Sequence, residues 1–132
     1  MDINKHIEYW RTGAEEEIEV AKDLLDKKRC RHALFFAHLA LEKALKALVT
    51  KVTRDVPPRT HDLLRLAHLA QIAFSADHRV FLARIQEYCL EGRYPEISAA
   101  VPTQETTQRD IEHAREILQW LIGQLNKPSD NT

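Results

Sequence analysis

The sequence predicts an all-α protein: a bundle of four long helices and one short one. Three observations carry that reading. Apolar and small residues recur at steps of three and four through most of the chain, the spacing of one helix face. No stretch alternates apolar and polar residues in the manner of a half-buried strand. The 132 residues include only three Gly and five Pro, and 44% are hydrophobic, so the chain has few breaks and enough apolar material for a core. Residues 1–126 are expected to form one helical domain and residues 127–132 a polar, flexible tail.

The first helix is read from Ile7, Trp10, Ala14, Ile18, Ala21 and Leu25, with Glu15, Glu16, Glu17 and Glu19 outside the stripe. The cations of "DKKRCR" close it, where the helix dipole favours positive charge. A second helix runs from about Arg29 to Val52. At 100° per residue, Ala33, Ala37, Ala40, Ala44 and Ala47 share one side, which suits a closely approaching neighbour. Leu34, Leu41, Leu45 and Leu48 lie beside them, leaving a polar arc that contains His38, Glu42 and Lys46. A helix apolar over more than half its circumference belongs at the centre of a bundle.

Pro57 and Pro58 in "TRDVPPRT" end that helix, and Thr60 is the expected cap of a short third one, "HDLLRLAHLAQ". Ser75 caps a fourth, "ADHRVFLARIQEYCLE", with Phe81, Leu82, Ile85, Tyr88 and Cys89 facing inward and Gly92 beyond its end. After the linker "RYPEISAAVP", either Thr103 or Thr107 starts the last helix, striped by Ile111, Ala114, Leu118, Leu121, Ile122 and Leu125.

Several chemistries find no support. The three glycines, Gly13, Gly92 and Gly123, are too far apart for a phosphate loop, and neither GxSxG nor HExxH occurs. The seven histidines are scattered, with His61 and His68 two turns apart, so neither a metal site nor any cofactor is expected. Net charge is −1, which leaves binding of acidic partners to local patches. Cys30 and Cys89 stand alone, the N-terminal residues lack the pattern of a signal peptide, and no apolar run reaches the roughly 18–20 residues of a membrane span. These features lead us to expect a cytoplasmic protein without a membrane association.

Three features remain as site candidates. His38, Glu42 and Lys46, spaced by four, form either a ladder at the border of a packed helix or, with Arg31 two turns earlier, a charged strip along a groove. Between Lys43 and Arg59 five cations face only Asp55, a pattern that fits a solvated helix end or a phosphate-binding patch extended by His61. Arg93 and Tyr94, held by Pro95, either finish a helix and anchor the linker or clamp a phosphate and stack a base.

In this order and separation, "FFAHLALEKALKAL", "PPRTHDLLRLA" and "YCLEGRYPE" resemble the HEPN domain family, from Tyr9–Trp10 to the last helix. Arg93, Tyr94 and Pro95, with His38–Glu42–Lys46 and Thr60–His61, are similar to its RYP-containing subgroup. The resemblance implies an up-and-down five-helix bundle, a homodimer, a nucleotide or RNA ligand and a minimal nucleotidyltransferase partner in a toxin–antitoxin-like pair. Ribonuclease members carry an Arg followed after four to six residues by a His. Here the positions five to seven residues after Arg93 are Ser98, Ala99 and Ala100, while Arg31 to His38 and Arg54 to His61 have the spacing on other elements. The reading therefore leans away from an enzyme. Its alternatives are a metal-independent endoribonuclease using Arg93 with His38 or His61, and a helical protein–protein adaptor.

Overall fold

Helix α1 (Ile3–Asp26) and helix α2 (Cys30–Thr53) are equal in length and joined by three residues, so they form an antiparallel hairpin. A computed structural model of the protein describes residues 2–88 and 102–128. Helices α3 (Leu63–Leu69), α4 (Ala76–Ile85) and α5 (Gln104–Leu125) complete it, with a 3-10 turn over Gln86–Tyr88. Every helix among the described residues packs on α2. Its five alanines are at most 1% exposed, and Leu34, Leu41 and Leu45 are fully buried, as the pattern of a central helix requires. Ala14 and Ala21 of α1 and Ala114 of α5 are buried as well, and small side chains let the helix backbones approach.

The helix ends are set by local chemistry. Asp2 accepts from Lys5 N at the start of α1, and Ser75 accepts from His78 N at the start of α4. Of the two threonines that could start α5, Thr103 is the cap, accepting from Thr106 N at 3.1 Å. Thr107 is buried one turn later and donates its hydroxyl to the Thr103 carbonyl. The expected cap of α3 moves by two residues: Asp62 Oδ1 accepts from the amides of Leu64 and Arg65. Thr60 instead caps the preceding turn, accepting from Asp62 N. Helix α2 stops before its prolines, because Arg54 takes a left-handed conformation (φ 60°, ψ 30°) and its amide closes the last turn on Thr50.

Helix α5 is tied in at both ends. Gln104 Nε2 donates to the Leu25 carbonyl at 2.9 Å, and Lys51 Nζ donates to the carbonyl of Leu125. Arg84 of α4 clamps Asp110 of α5 through two bonds of 2.8 and 3.0 Å. The fourth helix is shorter than its pattern, since the α-helical geometry ends at Ile85. Cys89, Gly92, Arg93, Tyr94 and the linker to Val101 lie outside the described residues.

Candidate functional site

The polar arc of α2 is not its wet side. His38, Glu42, Lys46 and Thr50 are 1%, 3%, 7% and 0% exposed. The segment between α2 and α3 provides the contacts that make this burial tolerable. His38 Nε2 donates to the carbonyl of His61 at 3.1 Å. The His61 ring donates from Nδ1 to Glu42 Oε1 at 2.8 Å, and Lys46 Nζ donates to Glu42 Oε2 at 3.0 Å. A carboxylate only accepts, so the proton shared with it sits on Nδ1 of His61. Thr50 hands its hydroxyl to the Lys46 carbonyl. The ladder that spacing alone suggests is therefore a buried relay, closed by a residue from a different element.

Burial has a direct consequence for His38. Desolvation lowers its pKa below the usual histidine value, and the nearby Glu42 carboxylate and His61 carbonyl oppose this only in part. The ring is neutral at pH 7, with the proton on Nε2 and a buried Nδ1 that has no hydrogen-bond partner among the described residues.

Beyond Lys46 the relay opens into a cavity of about 550 Å³. Lys5, His6, Tyr9 and Trp10 of α1 form one wall. Val56, Pro57, Pro58 and Arg59 form the other, and Lys46 lines the space between them. Tyr9 and Trp10 meet edge to face at 5.0 Å between centroids, and the Lys46 ammonium stands 5.3 Å from the Trp10 ring centroid. Among the described residues, Lys5, Lys46 and Arg59 line the space and no carboxylate does. Concavity, an apolar and aromatic lining and positive charge suit a small anionic ligand that carries a ring.

The sequence candidates divide accordingly. His38, Glu42, Lys46 and His61 form one connected group, and Lys46 and Arg59 reach the cavity. Arg31 lies in the first turn of α2, fifteen residues or about 22 Å along the axis from Lys46. The run of cations between Lys43 and Arg59 disperses: Lys43 pairs with Glu17 at 3.3 Å, and Lys51 caps α5. Arg93 and Tyr94 fall outside the described residues. Lys5, His6, Tyr9 and Trp10 are the residues that sequence reasoning missed as a site. Their signal lies in "KHIEYW", where Lys5 and Tyr9, and His6 and Trp10, are each one turn apart.

Among the described residues no group of three or more His, Cys, Asp or Glu is placed to hold a metal ion. No helix among them is long and apolar enough to cross a membrane.

The HEPN domain model matches residues 7–125 of the chain. Among solved structures, the chain is similar to TT1696 from Thermus thermophilus, with a TM-score of 0.71 and 24% identity over 89% of this chain and 96% of that one. It is also similar to ST0689, an archaeal HEPN homologue, with a TM-score of 0.63 and 21% identity over 91% and 98% of the two chains. At these identities the two likenesses establish the fold. No curated protein matches the chain.

Proposed function

The chain belongs to the HEPN domain family, and from that premise we propose that it binds a phosphate-bearing ligand, a nucleotide or an RNA end, in the cavity between α1 and residues 56–59. One observation carries the reading: the exposed Lys5 and Arg59 converge with Tyr9 and Trp10 on a concave space that no carboxylate among the described residues lines, with the Glu42-paired Lys46 beside them. Lysine and arginine attract phosphate, aromatic faces stack on bases, and the volume lies in the roughly 300–1,000 Å³ range of small-ligand sites. Within this reading the buried Glu42 is a positioning residue, which holds Lys46 at the cavity floor and the His61 segment over α2.

Calorimetric titration with mononucleotides, nucleoside triphosphates and short RNA tests the proposal. Saturable heat is expected, and replacing both Lys5 and Arg59 with Gln should weaken binding about tenfold, the loss of two exposed charge contacts. Absence of heat with every ligand overturns it. The module is further read as a cytoplasmic homodimer that works with a nucleotidyltransferase partner in a toxin–antitoxin-like pair. The family resemblance supports that part, and co-purification with such a partner checks it.

A second reading is favoured by a specific contact. Glu42 orients the half-exposed His61 ring by its Nδ1–H, the arrangement that prepares an imidazole for proton transfer on RNA without a metal. Cleavage of RNA by the wild type and its loss in His61→Ala would establish the endoribonuclease; intact RNA with the wild type removes it.

A further inference from the structure

Resting on the nucleotide reading above, we infer that the ligand enters this cavity base first, with its phosphate at the mouth, and that the favoured base is guanine. The charges of the site differ in exposure. At the buried end, Lys46 is 7% exposed and its ammonium is already matched by Glu42 at 3.0 Å. That pair has no net charge to offer a phosphate, and a phosphate brought against it would meet the carboxylate behind the ammonium. A neutral ring bearing hydrogen-bond acceptors meets no such opposition.

The mouth is different. Lys5 and Arg59 are exposed and have no ion-pair partner among the described residues. Their full charges are available to a phosphate there. The rest of the lining is largely apolar: Tyr9 and Trp10 come from α1, their rings edge to face, and Pro57 and Pro58 from the opposite segment. Such surfaces accept a planar base and offer little to a ribose phosphate.

Lys46 then selects among bases. An ammonium has three donors and no acceptor, and one donor is committed to Glu42. Guanine presents two acceptors side by side, O6 and N7, whereas adenine presents N7 beside its N6 amine, a donor that would face the ammonium. Cytosine presents a donor amine, and uracil a single acceptor on a smaller ring. Donor-only Lys46 therefore ranks guanine above adenine.

Titration of the wild-type chain with GMP, AMP, 7-deaza-GMP and ribose 5-phosphate tests this with substitutions on the ligand, so that base selection is read without any variant. GMP is expected to bind about tenfold more tightly than AMP, and 7-deaza-GMP, which lacks the N7 acceptor, to fall to the level of AMP. Lys5→Gln with Arg59→Gln should weaken GMP and AMP by the same factor and leave their ratio unchanged. If ribose 5-phosphate binds as tightly as GMP, base-first entry is overturned, and if AMP or 7-deaza-GMP does, the guanine preference is overturned, while phosphate binding stands in either case. If none of the four binds, the nucleotide reading fails and this inference with it.

Discussion

Replacing Glu42 with Ala tests the buried relay. In the folded protein its carboxylate holds Lys46 at 3.0 Å and His61 at 2.8 Å, and the side chains of Glu42 and Lys46 are only 4% and 9% exposed. Removing one partner of a buried ion pair costs about 3–5 kcal/mol, because the other charge remains buried without compensation. Lys46 borders the cavity and can turn its ammonium toward water, which favours the lower end, about 3 kcal/mol. His61 has a half-exposed side chain and replaces its lost bond with water, adding under about 1 kcal/mol. The sum is roughly 3–4 kcal/mol, about 10 °C in Tm for a chain of this size. Urea unfolding followed by far-UV circular dichroism reads the change as a lower midpoint at constant slope. A double variant, Glu42→Ala with Lys46→Met, should recover at least about 2 kcal/mol, since it removes the stranded charge. A single variant within about 1 kcal/mol of wild type would refute the reasoning, because an exposed pair costs no more than that.

Three further outcomes follow from individual contacts. His38 has a folded pKa lowered by burial from 6.5, so below that pH the unfolded chain binds the extra proton. Its contribution is intact above about pH 6.5 and is lost as pH falls toward the folded value; urea midpoints across this range should drop in wild type and drop less in His38→Gln. In Gly13→Ala, the new Cβ would lie 2.9 Å from Cδ of Lys43, a flexible side chain that can yield at some cost to its Glu17 contact. The helix gain of about 1 kcal/mol roughly offsets that cost, so Tm should stay within a few degrees, and a loss above about 2 kcal/mol would show that Lys43 is fixed. Thr103→Ala removes the cap of α5 and should lower stability by about 1 kcal/mol, measured by the same unfolding transition.

Periodicity made the helices legible, because a buried face imposes its spacing on the residues that form it. The alanine and leucine faces of α2 and the stripes of α1 and α5 are buried or half-buried as their spacing requires. Burial of His38, Glu42 and Lys46 was not legible. Seen along α2 alone they form a polar arc, and the residue that covers them, His61, is joined to them only through the chain reversal at Arg54 and the two prolines. The sequence pointed to Thr60 as the cap of α3, whereas Asp62 caps it, and the amide of Leu63 at its start donates to Gln86 Oε1, a tertiary contact that spacing does not show. The cavity is harder still, since its walls come from the first turns of α1 and from residues 56–59, segments distant in sequence. Composition and spacing state which charges are present. Whether they converge, as Lys46 and Arg59 do, or disperse, as Lys43 and Lys51 do, depends on contacts between elements.

Trp10 offers the most direct measurement of the central claim that this cavity holds a nucleotide. The chain has two tryptophans, and Trp120 sits 41% exposed against Phe74, so Trp120→Phe leaves Trp10 as the sole indole without opening the core. Titrating that variant with GMP while following indole emission reads the cavity wall itself. The account predicts a saturable change in Trp10 emission that shifts to about tenfold higher GMP concentration when Lys5 and Arg59 are both replaced with Gln. Binding detected by calorimetry with no change in Trp10 emission, or an emission change unaffected by those two replacements, would contradict it.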